Sequence, residues 1–178
     1  MEKFKEETIS TETIYQGKIL NLRRDKIKLP DSRESVREII EHSGGVTIIP
    51  VTDSGKILLV KQYRKAVEDV LYEIPAGKLE SGEEPIKCAE RELEEETGYR
   101  PRKIEKLYSF YTSPGYSDEI IHLYIARELN FIAQNPDKDE FIVVEEINKE
   151  EIMELINNGK IKDSKTIIGL LQFLRGDI

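Results

Sequence analysis

Three glutamates, Glu92, Glu95 and Glu96, fall at spacings i, i+3 and i+4. In a helix these positions share one face. Like charges at that spacing cost roughly 0.2–0.5 kcal/mol per pair, and Glu94 adds to the acidity. The cluster lies at the C-terminal end of its segment, where a helix macrodipole is already negative. A sequence that accepts both costs invites a compensating cation. Hard divalent ions take oxygen ligands, and Mg2+ commonly uses one or two carboxylates together with substrate phosphates. The competing reading is a solvated acidic face partnered by Lys87 and Arg91. The helix alone does not choose between them.

The elements that must position these groups can be read outward from them. Pro85 to Thr97 is predicted helical: Pro85 suits the first turn, Gly98 the position just past the end, and Pro101 blocks resumption. Ile86, Cys88, Ala89 and Leu93 supply its apolar stripe, so Cys88 reads as packing. Upstream, Gly45–Val51 is apolar and β-branched, a buried strand. Asp53-Ser54-Gly55 reads as a hairpin turn, with Lys56–Tyr63 as the returning strand. Leu71–Ile74 is a short strand ending at Pro75-Ala76-Gly77. Ile104–Tyr111 and Ile120–Ala126 are strands flanking the Ser113-Pro114-Gly115 turn. Ala133–Glu140 is a polar loop before a strand at Phe141–Ile147. Helices follow at Asn148–Asn157 and Ser164–Leu174. The N-terminal part alternates apolar and polar residues over 12–29 around Gly17-Lys18, with a third strand at Ser35–His42. The expected fold class is therefore α/β (α+β): a helix–mixed sheet–helix sandwich over residues 44–178, preceded by a small antiparallel strand module over 1–43.

Composition bounds what this site can serve. The 178 residues carry 27 Lys and Arg against 35 Asp and Glu, a net charge of −8. That balance argues against nucleic-acid or anionic-membrane partners, which need a basic footprint. A small anionic substrate stays open, because a bound cation reverses the local sign. One cysteine excludes a disulfide framework and fits a reducing compartment. The opening MEKFKEETIS has no apolar core of a signal peptide, and no window reaches a membrane span. A cytoplasmic protein is expected. His42 and His122 are isolated on strands and receive no role.

The acidic helix sits in a larger spacing pattern. Gly77, Glu83, Arg91-Glu92-Leu93, Glu95-Glu96, Gly98 and the apolar Tyr99 span 23 residues. The pattern resembles the Nudix box of the Nudix hydrolases, with Tyr99 standing where an aliphatic residue is more usual. The resemblance implies hydrolysis of a nucleoside diphosphate linked to another moiety, using Mg2+ or Mn2+ and more than one ion per site. It implies Glu92, Glu96 and Glu95, with the Ala76 carbonyl, as the metal ligands. Arg91 would orient their carboxylates, Gly77 and Gly98 would permit tight turns, and Glu83 would pair structurally or bind metal weakly.

Features beyond the box resemble the ADP-ribose pyrophosphatase branch of that family: Arg37-Glu38-Ile39-Ile40-Glu41-His42, Lys61-Gln62-Tyr63-Arg64, Glu73-Ile74-Pro75-Ala76-Gly77, Ser113-Pro114-Gly115, and Asp163-Ser164-Lys165-Thr166-Ile167-Ile168. This resemblance implies a homodimer that exchanges its N-terminal modules, and a substrate set of Arg64, Arg37, Glu73, Gly77 and Pro114. Arg64 would meet the phosphates, since a planar fork binds them bidentately. Glu73 would either touch the adenine or pair with an arginine, and Tyr15 or Tyr63 would stack on it. The water-activating base would come from the acidic loop Asn135–Phe141. There Lys138 replaces a glutamate common in relatives, leaving Glu140, then Asp139, then the box residue Glu95. The expected reaction converts ADP-ribose to AMP and ribose 5-phosphate. Competing substrates are another nucleoside diphosphate sugar such as GDP-mannose, or an oxidised nucleotide. A non-catalytic nucleotide sensor is disfavoured by the intact box glutamates.

Overall fold

Strand β4 (Gly45–Pro50) explains most of the architecture, because it is buried along its whole length. Alternate side chains of a strand point to opposite faces. Val46 and Ile48 pack with Cys88, Ala89 and Leu93 of helix α1 (Pro85–Thr97). Ile49 packs on the other side with Leu170 and Phe173 of helix α3 (Ser164–Arg175). A continuous apolar run is what a strand covered on both faces requires. The result is the expected mixed α/β sandwich of helix, sheet and helix.

The computed structural model describes residues 2–136, 138 and 140–176. It divides into two compact units. The first comprises the chain up to Gly44 together with Tyr111–Ile120. Its strands β1 (Glu7–Gln16), β2 (Leu20–Lys28) and β3 (Glu34–His42) form an antiparallel sheet in that order. The Tyr111–Ile120 turn joins this unit because the Ile40 N–H donates to Tyr116 O at 2.7 Å and the His42 N–H to Asp118 Oδ1 at 2.8 Å. Strand β1 starts five residues earlier than its alternation indicates. All ten of its residues are exposed, so no buried face imposed a pattern there.

The second unit holds the remaining elements. They are β5 (Ile57–Arg64), β6 (Asp69–Glu73), β7 (Ala76–Lys78), β8 (Tyr99–Tyr111), β9 (Ile120–Phe131), β10 (Ile142–Ile147) and helix α2 (Ile152–Asn157). One sheet runs β7-β4-β9-β8, with β4 parallel to β9, and the other runs β10-β5-β6. The turn at Asp53–Gly55 is present, with Gly55 at φ 79°. It does not make a hairpin ladder of β4 and β5: the pairing at the turn is an isolated Val51–Ile57 bridge. The reason is topological: β7 and β9 already occupy both edges of β4, so β5 must pair elsewhere. Strand β8 begins at Tyr99 and runs through Pro101. Its terminal place in the sheet tolerates a residue without a donor. The stretch after Asn148 opens with a 3₁₀ turn, Lys149–Glu151, before α2. Among the described residues no helix is long and apolar enough to cross a membrane.

Candidate active site

Helix α1 has the predicted limits. Pro85 occupies its first turn, and Gly98 ends it at φ 79° with its N–H on Glu94 O. Cys88, Ala89 and Leu93 are buried as the periodicity requires, whereas Ile86 is exposed and does not join the stripe. Burial pushes the Cys88 thiol up to about 12, so it is inert packing.

The box glutamates do not share one environment. Glu94 is half-buried and pairs with Arg100 at 2.7 Å, and Lys87 pairs with Glu90 at 2.8 Å. Glu96 is 2% exposed. Its carboxylate accepts the Ala76 N–H at 3.1 Å, which ties the helix to the start of β7. No ion pair reaches it among the described residues. Burial, aided by the charges of Glu92 and Glu140, pushes it up to about 8. Burial likewise pushes Glu92 up to about 7, with Glu95 and Glu140 adding repulsion and Arg91 opposing. A solvated acidic face does not have these properties, so that competing reading does not describe Glu92 and Glu96.

Arg91 binds three carboxylates at once. Its Nη1 donates to Glu92 Oε1 at 2.7 Å and to Glu95 Oε2 at 2.9 Å. Its Nε and Nη2 both donate to Glu83, at 3.0 Å. That pairing holds the Glu83 carboxyl down to about 2. Glu83 is therefore the arginine's anchor, and Arg91 in turn fixes the direction of Glu92 and Glu95.

Gly77 is required for a reason other than a turn. It lies in β7, and its φ is outside the left-handed range. A Cβ built there would sit 1.8 Å from Glu92 Cδ. The missing side chain is the space the Glu92 carboxylate fills. Gly98, by contrast, is a left-handed cap and fits the turn reading.

The donor set here is all oxygen, partly buried and short of positive charge, which fits a hard divalent cation. Glu92, Glu95 and Glu96 lie on α1, and the backbone of Ala76 lies beside Glu96. In the arrangement described, Arg91 engages Glu92 and Glu95, and no three His, Cys, Asp or Glu side chains among the described residues converge as a finished cation site.

The remaining expected residues fall as follows. Arg64, at the end of β5, binds Glu73 bidentately, with Nε to Oε1 at 2.7 Å and Nη2 to Oε2 at 2.9 Å. It is near enough to Glu96 for each charge to favour the other's ionised form. Glu73 is 1% exposed, so it pairs with an arginine and is closed to an adenine. Glu140 is half-buried, and its charge registers at both Glu92 and Glu96. Asp139 lies outside the described residues. Arg37 and Pro114 belong to the first unit: Arg37 pairs with Glu6, and Pro114 follows Ser113, whose carbonyl accepts the Ser117 N–H at 2.9 Å. Tyr15 and Tyr63 are both exposed.

Two features escaped the sequence reading. Gln62 is buried on β5 with its Oε1 unpartnered; a polar residue at an inward strand position was the available signal. The start of α3 supplies the other: Lys165 also donates to Glu73, and Asp163 caps the helix.

Comparison with known proteins gives a consistent picture. The NUDIX domain profile matches residues 41–167, and the profile of the nucleoside diphosphate sugar hydrolase N-terminal domain matches residues 6–40. The chain is 45% identical over 177 residues to an ADP-ribose pyrophosphatase of Bacillus subtilis, covering 98% of this chain and 95% of that protein. It is 48% identical over 174 residues to a methanol dehydrogenase activator of Bacillus methanolicus, covering 97% and 94%. Its fold matches the crystal structure of an ADP compounds hydrolase with a TM-score of 0.85 at 19% identity, covering 97% and 95%.

Proposed function

The chain belongs to the Nudix family, and from that membership we propose that it hydrolyses the diphosphate bond of ADP-ribose, releasing AMP and ribose 5-phosphate. The carrying observation for the chemistry is the buried Glu96 carboxylate, which no ion pair reaches among the described residues, beside the partly buried Glu92, whose carboxylate fills the space left by Gly77. The near full-length likeness to an ADP-ribose pyrophosphatase supports the substrate. The match of residues 6–40 supports the wider class of nucleoside diphosphate sugars.

Glu92, Glu95, Glu96 and the Ala76 carbonyl are the residues to hold Mg2+ or Mn2+, with room in this donor set for more than one ion. Such ions neutralise a diphosphate and acidify water when bound. Arg91 keeps Glu92 and Glu95 aimed, with Glu83 as its counterweight. Arg64 presents its guanidinium to the phosphates while Glu73 holds its other edge. Glu140 takes the proton from the attacking water; its electrostatic reach to Glu92 and Glu96 supports that role. Water adds across the P–O–P bridge, so each product keeps one phosphate.

A homodimer would account for β1, all of whose residues are exposed, the apolar Ile9, Ile14 and Tyr15 among them. Arg37 and Pro114 are proposed as further substrate contacts. The single free cysteine supports a reducing, cytoplasmic setting.

The test is product analysis with purified protein in Mg2+ and in Mn2+, comparing ADP-ribose, GDP-mannose and 8-oxo-dGTP. AMP and ribose 5-phosphate should form fastest from ADP-ribose and vanish in Glu96→Gln. Faster turnover of GDP-mannose would overturn the substrate and keep the chemistry. No turnover of any of them would overturn both.

A further inference from the structure

The Asp163-Ser164-Lys165-Thr166 run at the start of α3 has no part in the chemistry above, yet its side chains converge on the residue that holds Arg64. Lys165 Nζ donates to Glu73 Oε2, the same oxygen that accepts Arg64 Nη2. Lys165 also donates to Asp163 Oδ1 at 2.9 Å. Asp163 Oδ2 accepts the Thr166 N–H at 2.9 Å and the Thr166 hydroxyl at 2.6 Å. That hydroxyl accepts the Ile74 N–H at 3.0 Å. One chain of bonds therefore runs from the first turn of α3 to the backbone after Glu73 and to the guanidinium of Arg64.

Charge explains why a second cation is useful. Arg64 and Glu73 form a neutral pair, and the Asp163 carboxylate near Arg64 adds a negative charge that would repel an anion. Lys165 pairs with both carboxylates, so the Arg64–Glu73–Lys165–Asp163 group is neutral overall, and without Lys165 it would carry one net negative charge. The N-terminus of α3 further offsets Asp163. Burial opposes ionisation of Glu73, yet Arg64 and Lys165 together hold it below its ordinary range. Side-on pairing uses Nε and Nη2 of Arg64. Of the five guanidinium donors, those on Nη1 are left for a ligand.

We propose that Lys165 is a positioning residue for the substrate: by sharing Glu73 it fixes the fork of Arg64, and by offsetting Asp163 it keeps the group from turning negative toward the diphosphate. This rests on the reading of Arg64 as the phosphate contact. It predicts a defect in binding rather than in chemistry, transmitted entirely through Arg64.

The experiment measures KM and kcat for ADP-ribose, and Kd for ADP in Mg2+ by calorimetry. It uses wild type, Lys165→Met, Lys165→Arg, Arg64→Ala and the Arg64→Ala/Lys165→Met double variant. Residues that orient a ligand group typically matter 10–100-fold, so Lys165→Met should raise KM and the ADP Kd about tenfold with kcat nearly unchanged. Lys165→Arg should restore both to within about twofold, since charge is kept. On the Arg64→Ala background, Lys165→Met should add nothing. Equal losses in both backgrounds, or a fall in kcat and Tm at unchanged KM, would overturn the proposal and leave Lys165 as helix packing. If Lys165→Met does not fold, Lys165→Gln keeps a donor for Glu73 without the charge and should show the same rise. The ADP titration needs no turnover. A protein that binds ADP in this graded way but does not hydrolyse ADP-ribose would refute the substrate reading and uphold Lys165.

Discussion

Replacing Gly77 with alanine separates geometry from folding at this site. The added methyl would lie 1.8 Å from Glu92 Cδ and 2.0 and 2.3 Å from its oxygens. Ordinary contact begins near 3.4 Å, so the carboxylate must retreat by about 1.6 Å. It sits at the end of a flexible side chain, so the retreat needs rotamer change and no backbone movement. Gly77 has no left-handed φ, and an alanine there loses less backbone entropy on folding, a gain of about 0.4–1 kcal/mol. Stability should therefore hold or rise slightly. Activity should not: misplacing a reacting group by about 1 Å costs on the order of 100-fold, or roughly 2.7 kcal/mol of barrier. The assay is ADP-ribose turnover across a Mg2+ titration, with a thermal melt of the same preparation. The expected result is an unchanged Tm with kcat down about 100-fold and a higher Mg2+ requirement. In a Glu92→Asp background the side chain is one methylene shorter, and the added methyl should cost much less than in wild type. Wild-type kcat in Gly77→Ala would refute the claim that Gly77 exists to seat Glu92. So would a large loss of Tm, because the backbone would then be absorbing the clash.

Three further outcomes follow from the same environment. Glu96→Gln removes a buried carboxyl that no ion pair offsets among the described residues, so above about pH 8, where that carboxyl is ionised, its metal-free Tm should exceed that of wild type; added Mg2+ should stabilise wild type only, as read by paired melts. Glu96 and Glu92 are pushed to about 8 and about 7, above their unfolded values near 4.5, so the metal-free fold binds more protons than the unfolded chain across that range. Its stability should fall as pH rises from about 5 to 8, and Mg2+ should bind with proton release that fades above pH 8, measured by calorimetry in buffers of different ionisation enthalpy. Gly169→Ala should destabilise despite a helix-propensity gain of about 1 kcal/mol, because its Cβ would meet Ile74 at 2.8 Å and Ile49 at 3.3 Å inside the core. Overpacking of about 1–3 kcal/mol should lower Tm by a few degrees at this chain length.

The limits of α1 were readable because each is set by a local rule. Proline fixes the first turn, glycine supplies the left-handed cap, and the apolar spacing has a helical period. The pairing of β4 was not readable. The turn at Asp53–Gly55 is a sound local signal, but which strand sits beside β4 is decided by β7 and β9, residues 76–78 and 120–131. Ile86 shows the same limit on a smaller scale, since its position fits the helical stripe but the fold leaves it exposed. At the site, the types and spacing of Glu92, Glu95 and Glu96 were visible, whereas their unequal burial was not. That inequality depends on the Ala76 backbone and on the empty side of Gly77, both brought in from another element.

Arg91 and Glu73 show how the fold divides the work of charge. Arg91 is the only cation bonded to Glu92 and Glu95 among the described residues, and Glu83 already claims two of its donors. It therefore aims Glu92 and Glu95 without neutralising the group. Glu96, the most buried member, is left to its repulsion with Glu92 and Glu140. On the other side, Glu73 is supplied with two cations. A protein selected only for stability would spread its positive charge more evenly, since an uncompensated buried carboxylate is costly. The uneven spread makes sense if the deficit at Glu96 is met by a bound cation, and the guanidinium donors that Glu73 leaves on Arg64 by an anion. A metal-bridged diphosphate carries both charges in one ligand, and it is the one species that would relieve both halves of the site together.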